Sequence, residues 1–365
     1  MNIAVIPGDY RAVNDTWTTA ASGASGSLET RAILYVSADA PGWIDTGLSI
    51  SKGQKITLLA HGQVWLSREA NLSFGPNVSL WYRIGGSLIA RSAANSITFE
   101  SQDEGALFLI VKPPGEWANR NGDFLPDYPH AGATGGLLVA VLAWSGNADE
   151  GLRAFSAKDE TGAARAELER RANEKPNPKG WVPLWRLGET KMFCEEIGED
   201  GQPHIACRCI NDGAILKRPL DFPLDRSVRL DWSWRIKTLP SRLAEDTLAT
   251  HDYLSMAIEF DNGQDLTYLW SSCLPVGAAF RCPIPWWDKH ETHIVRRSGP
   301  EGLGTWIDES QPVFDDYQTA VGGPLPNRIA GIWLIGVSPF QRGAGECDFR
   351  GIQLRNDTRK IWVGP

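Results

Sequence analysis

Short segments in which apolar and polar residues alternate recur on both sides of the chain's midpoint, and such a chain can bury its apolar side chains only on one face of β-strands. Leu230-Asp-Trp-Ser-Trp-Arg-Ile236 is the clearest case. In the first half the strand-like runs are Ile33–Val36, Lys55–Ala60, Leu80–Ile84, Ile97–Phe99, Ala106–Val111 and Leu137–Trp144. In the second they are Leu230–Ile236, Met256–Phe260, Thr267–Trp270, His293–Arg296 and Gly331–Ile335. Gly, Pro and Asn punctuate them at the spacing of an all-β domain.

Between the two sets, 147–179 holds no strand-like run. Its middle, Ala163–Ala172, is rich in strong helix formers and is stopped by Lys175-Pro-Asn-Pro178. A length of 365 residues exceeds one ordinary core. The expected architecture is therefore all-β: an irregular Ala/Ser/Gly/Thr-rich arm over 1–32, a β-sandwich over 33–146, a helical linker over 147–179, and a jelly-roll-like β-sandwich over 180–365. A further helix is expected near Asp315–Ala320. The halves share no repeat, which leaves out propellers and solenoids.

Charge narrows the partners. A net charge of −8, with no block of Lys or Arg, leaves no electrostatic footprint for nucleic acid or an anionic membrane. No apolar run reaches the length of a membrane span, and the first residues lack a basic and a fully apolar signal region. The chain as written reads as cytoplasmic, or as periplasmic or secreted if a signal peptide has been removed. Cys207-Arg-Cys209 has neither zinc-knuckle nor redox spacing, so the six cysteines are read as free or buried thiols.

Three stretches carry a resemblance in the first half: Pro41–Leu48 leading into Gly53–Leu58, Leu80–Gly85, and the loop Pro114–Phe124. Together they resemble the bacterial galactophilic calcium-dependent lectins, small β-sandwiches in which that loop offers acidic and amide oxygens to a calcium that in turn holds sugar hydroxyls. The resemblance implies a glycan ligand, with Trp117, Asn119 and Asn121 as contacts; the alternative is that this half is a scaffold or the module through which a homo-oligomer forms. Asn119 falls on one amide ligand, but Arg120 stands at the next and Lys112 where the leading aspartate belongs. No tight calcium is therefore expected, and no other cofactor; Asn121, Asp123 and Asp127 offer a site in another register. The lectins' sugar-contacting His and Gln have no counterpart in Arg68–Gly75.

The second half resembles a bacterial family known only as a domain of unknown function. Its marks are Leu230–Ile236, Glu245-Asp246 to His251-Asp-Tyr253, Glu259-Phe-Asp261, Tyr268-Leu-Trp270, Gly302–Trp306 and Asp315-Asp-Tyr317. The resemblance implies a fold and brings no activity.

The densest polar constellation is Glu245, Asp246, His251, Asp252, Glu259 and Asp261. Alternation along Met256–Phe260 puts Met256, Ile258 and Phe260 on one face and Ala257 and Glu259 on the other. Asp246, His251, Asp252 and Glu259 are candidate acid–base groups for a cofactor-free isomerase, cyclase, lyase or hydrolase. The competing reading is a solvated loop, since Asp261-Asn-Gly263 is a hairpin signal. Trp232, Trp234, Trp270 and Trp306, with Arg235, are candidate contacts for a glycan or an apolar small molecule, on a concave sheet where Trp234 and Trp270 occupy neighbouring positions. His290-Glu-Thr-His293 is not H-E-x-x-H, and on a strand its two imidazoles face opposite ways, so no metal is expected there. The sequence leaves a ligand-binding protein, an enzyme and an assembly module as alternatives.

Overall fold

The computed structural model describes residues 6–113, 115–125 and 132–365. The chain divides into two compact units, 1–174 and 175–365. Both are built from paired β-sheets. No helix among the described residues is long and apolar enough to cross a membrane.

In the first unit, one sheet has Leu28–Ser37, Thr134–Trp144, Lys55–Ser67 and Leu72–Phe74 in that order, with Ser96–Glu100 also on Lys55–Ser67. The other orders Ile44–Ile50, Gly105–Val111, Leu80–Ile84 and Ala90–Arg91. Along Thr134–Trp144, Leu137, Val139, Val141 and Ala143 enter the core between the sheets, while Leu138, Ala140, Leu142 and Trp144 pack into a second core. A strand apolar at every position is one buried on both faces.

Helices form that second core, and here the structure corrects two expectations. The stretch expected as an irregular arm is the helix Arg11–Gly23, whose Trp17, Ala20 and Ala21 are buried against the sheet. The stretch expected as a helical linker holds the expected helix Ala163–Ala172 and a second, Ala148–Ser156, but both belong to the first unit and pack on the same face through Leu152, Phe155 and Ala164. Asn147 starts the former by accepting the Asp149 N–H (3.0 Å). Gly151 lets that helix lie flat on Trp144, since a Cβ there would meet the indole at 2.3 Å. The indole N–H of Trp17 donates to Thr161 between the two helices (3.0 Å). Local composition signalled flexibility, but the uncovered apolar face of Thr134–Trp144 demanded a cover, and burial won.

In the second unit a seven-stranded sheet has the order Val182–Pro183, Gly213–Pro223, Arg328–Val337, Tyr253–Phe260, Asp265–Ser271, Glu291–Ser298 and Ala279–Arg281. All its pairings are antiparallel except Asp265–Ser271 with Glu291–Ser298. The facing sheet runs Phe193–Ile197, Pro203–Ile210, Ala344–Arg355, Arg229–Thr238 and Ile307–Pro312, with Lys360–Trp362 on Ala344–Arg355. The expected late helix is an α-turn at Val313–Asp316 that runs on into a π-turn at Tyr317–Val321.

If the N-terminal helix is part of the first unit's core, Trp17→Ala should destabilise that unit by roughly 3–5 kcal/mol. Calorimetry of the full chain should then show the first unit's transition moving to lower temperature while the second unit's stays in place. An unchanged pair of transitions would return residues 11–23 to the status of a loose arm.

Candidate functional site

Alternation in the seven-stranded sheet sends Leu254, Met256, Ile258 and Phe260 into the core between the sheets and Tyr253, Ser255, Ala257 and Glu259 to the outer face. The split expected for Met256–Phe260 is the one observed. Register then fixes what stands beside what on that outer face. One row runs Lys217, Trp333, Ala257, Thr267, His293 and Phe280 across six strands. The next runs Gly331, Glu259, Asp265 and Glu291, so three carboxylates stand on three adjacent strands.

Most of this face is covered. Leu184, Leu187, Ile284, Trp286 and Trp287 pack over it with Tyr253, Leu269 and Trp333. Trp286 has φ 73°, a backbone region that a bulky residue enters only when its surroundings hold it there. Its ring is gripped by the Arg186 guanidinium (3.9 Å) and by Trp287 and His290.

Beneath that cover His251, Tyr253, Asp265, Thr267, Cys282, Glu291 and His293 are all buried. Glu291 Oε1 accepts the Tyr253 hydroxyl (3.2 Å) and the Thr267 hydroxyl (3.0 Å). The His251 ring reaches the Glu245 carbonyl through Nδ1 (2.5 Å), and its Nε2 lies 3.4 Å from Cys282 Sγ. His293 stacks on Phe280 (centroids 4.8 Å apart, planes 6° apart) and stands edge-on to His251. Neither of its ring nitrogens has a hydrogen-bond partner.

Loss of water dominates the electrostatics. Burial pushes the Glu291 carboxyl up to about 7 and, with Glu291 and Glu259 adding repulsion, holds Asp265 well above the carboxylate range. Burial lowers His251 to about 4, and His293 falls well below the ordinary imidazole value. The Glu259 end of the face is partly open to solvent. There Glu259 Oε2 contacts Lys217 Nζ (2.5 Å) and accepts the Trp333 indole N–H (3.0 Å). Gly331 leaves the spot open, since a Cβ there would lie 3.0 Å from Glu259 Oε2.

The residues expected to form a site are only partly brought together. His251 and Glu259 reach the outer face, at opposite ends of the polar cluster. Asp246 is exposed on a loop. The Asp252 carboxylate is a loop clamp: it accepts the N–H groups of Phe340 (3.0 Å) and Gln341 (2.6 Å), and burial raises it to about 6. Trp232, Trp234 and Trp270 are buried in the core between the sheets, so their rings offer no platform to a ligand. Trp234 and Trp270 do touch, at 5.8 Å, but from opposite sheets rather than as neighbours in one. Trp306 lies under the guanidinium groups of Arg235 (4.8 Å) and Arg350 (3.9 Å), and Arg235 is held by Asp348 (2.6 Å).

In the first unit, Trp117 is buried between Trp43 and Phe124, stacked at 5.6 and 5.3 Å. The Asn119 amide closes its own loop, donating to Asp123 (2.7 Å) and accepting the Asn121 N–H (2.9 Å). Asn121 is exposed. Lys112 is buried, its ammonium donating to the Ala38 carbonyl (3.2 Å) and lying over the Phe124 ring (5.7 Å). These residues do not fit calcium: an ammonium is buried at the loop and the amide oxygen is already spent. Asp127 lies outside the described residues.

Asp265, Cys282 and Glu291 were missed in the sequence as site residues, and His293 was considered only with His290 and set aside. The signal was there in Asp265-Leu-Thr267 and Glu291-Thr-His293, whose i, i+2 spacing puts both members of each pair on one face of a strand. Weighing His290 against His293 was the wrong comparison, because His290 ends a turn and bonds the Gly263 carbonyl (3.0 Å).

Residues 195–353, under half of the chain, match the profile of a family described as "Protein of unknown function (DUF3047)". No curated protein matches the chain significantly. Among solved structures, a PllA-like lectin, the N-terminal domain of EclA, is 20% identical over 32% of this chain and 98% of its own, with a TM-score of 0.24. The xyloglucanase domain of NopAA, a type three effector from Sinorhizobium fredii in complex with cellobiose, is 8% identical over 50% and 95%, with a TM-score of 0.29. A family 30 carbohydrate-binding module of a Clostridium thermocellum cellulosomal cellulase is 11% identical over 51% and 96%, with a TM-score of 0.28. Likenesses this distant carry nothing about ligand or reaction.

Because Asp252 holds two backbone amides, Asp252→Ala should cost roughly 1–3 kcal/mol and speed amide exchange at Phe340 and Gln341. Hydrogen-exchange mass spectrometry of that loop is the check. Because Lys112 already supplies a buried positive charge, millimolar calcium should leave the first unit's unfolding temperature where it is in full-chain calorimetry. A calcium-dependent rise would reverse that expectation.

Proposed function

We propose that the protein binds a small polyhydroxylated ligand of the glycan class through the outer face of the second unit's seven-stranded sheet. The observation that carries this reading is the solvent-facing group of Glu259, Lys217 and the Trp333 N–H, floored by Gly331, at the open end of an otherwise covered face. A carboxylate, an ammonium and an indole N–H within one cluster supply the acceptors and donors that hydroxyl groups need. The aromatic wall beside it is Trp286, Trp287 and Trp333 rather than the tryptophans of the core.

The reading is tested with neutral saccharides, galactose and β-1,4-linked glucose oligomers among them, titrated into the full chain. Glu259→Gln should weaken the best binder by about tenfold or more, as loss of a charged hydrogen bond does. Absence of saccharide binding, or binding indifferent to Glu259, would defeat the proposal. An enzyme is the second reading, favoured by the Glu259 and Asp265 carboxylates on neighbouring strands. It requires conversion of the same saccharides, with Glu259→Gln cutting turnover by ~10²–10⁴-fold while binding largely persists.

A further inference from the structure

His293 is fully buried and neither ring nitrogen makes a hydrogen bond, although Glu291 Oε1 lies 3.3 Å from Nε2. Buried polar atoms are almost always partnered, so two free nitrogens on one ring need an explanation. The surroundings supply it. The Glu245 carbonyl takes the Nδ1 side of His251, which fixes the tautomer and leaves the Nε2 lone pair directed toward Cys282 and away from the backbone. Glu291 is oriented by the hydroxyls of Tyr253 and Thr267. Phe280 fixes the plane of His293. One ligand atom each from His251, Glu291 and His293 lies within 4.8 Å of the others.

We infer that His251, Glu291 and His293 form a buried site for a divalent transition metal of the zinc class, with Cys282 as the fourth ligand. Bonds of 2.0–2.3 Å in a tetrahedron place ligand atoms about 3.3–3.7 Å apart. The His293–Glu291 and His251–Cys282 separations, 3.3 and 3.4 Å, already have that spacing, and among His251, Glu291 and His293 the widest pair closes by about 1 Å on binding. The Cys282 N–H donates to the Glu291 carbonyl (3.1 Å), which ties its strand end to the site.

Charge points the same way. Among the described residues no lysine or arginine pairs with Asp265 or Glu291: the Arg281 guanidinium bonds Gln264 (3.0 Å), and Lys217 bonds Glu259. Two imidazoles, a carboxylate and a thiol favour zinc over calcium or magnesium, which prefer oxygen alone. Two of the ligands have outer partners that hold them: the Glu245 carbonyl for His251, and the Tyr253 and Thr267 hydroxyls for Glu291. With four protein ligands and no solvent access the site is closed, as structural zinc sites are, and it would pin the Cys282 and His251 loops onto the sheet. The inference does not rest on the glycan reading, because Glu259 is not a ligand and metal content is measured without saccharide.

The test is metal analysis of the full chain purified without chelator, followed by removal of metal and titration with zinc alone. The wild-type chain should carry about one zinc and regain it after removal; His293→Ala and Glu291→Gln should each weaken it by ~10²-fold or more, and His290→Ala should leave it unchanged. Should the buried variants fail to fold, cobalt decides in their place: the wild type should show an intense thiolate-to-cobalt band that Cys282→Ser removes. A wild-type chain that takes up no stoichiometric zinc overturns the inference. So does zinc binding that survives both His293→Ala and Glu291→Gln, or cobalt bound without the thiolate band.

Discussion

Setting Asp265 and Glu291 side by side in a dry interior is the most demanding electrostatic arrangement in the second unit. An uncompensated buried carboxylate costs several kcal/mol even after the protein relaxes, and a second one beside it adds repulsion. Among the described residues neither group forms an ion pair with an ammonium or guanidinium, and the attraction of Arg281 for Asp265 is outweighed by burial. The hydroxyls of Tyr253 and Thr267 meet Glu291, and Thr267 also reaches Asp265 (3.5 Å). Neutral donors satisfy oxygens without cancelling charge, so the interior favours protons or a cation there. The cover creates that cost, because Trp286, Trp287 and Leu187 exclude water from groups that water would otherwise solvate. Trp286 is held in a conformation that a tryptophan does not adopt unforced.

Tryptophan serves this fold mainly as filler. Trp232, Trp234 and Trp270 bridge the two sheets with Tyr268, and their contacts at 5.5–5.8 Å are tilted, edge-on or offset, as ring quadrupoles prefer. Each such ring removes more apolar surface from water than an aliphatic side chain, which suits a sandwich core only about two side chains thick. The indole N–H groups of Trp232 and Trp234 find no partner there, an expense that bulk evidently outweighs. Tryptophan count alone therefore says little about ligand stacking. What separates core from wall is the parity of the position along its strand.

Parity was readable, and that is why the sheets were legible. Every strand-like run named from the sequence lies within a strand of the structure, and the two faces of Met256–Phe260 divide as alternation requires. The helices that close the first unit were not recognised as part of its core, because Arg11–Gly23 is rich in Ala, Ser, Gly and Thr and Ala163–Ala172 reads as merely polar, which hid the apolar stripes that Arg11–Gly23 and Ala148–Ser156 turn to the sheet. The evidence for them lay elsewhere, in the unbroken apolar run Leu137–Trp144, which needs cover on both faces. At the candidate site the sequence led to His251 and Glu259. It passed over Asp265, Glu291 and Cys282, which join only when a parallel pairing lays Asp265–Ser271 beside Glu291–Ser298. A parallel neighbour is set by a crossover, and no local spacing announces it.

The first unit meets a related electrostatic problem with the opposite sign. The loop that ends at Phe124 lies beside the buried ammonium of Lys112, which donates to the Ala38 carbonyl under the face of Phe124. A tethered ammonium supplies a fixed positive charge to the loop's packing without an ion from solution. Asn119, Asn121 and Asp123 then turn inward on one another and close the loop as an ordinary turn. One buried cation is thus written into the sequence of the first unit. In the second, Asp265 and Glu291 are written in side by side, and among the described residues neither has an ion-pair partner.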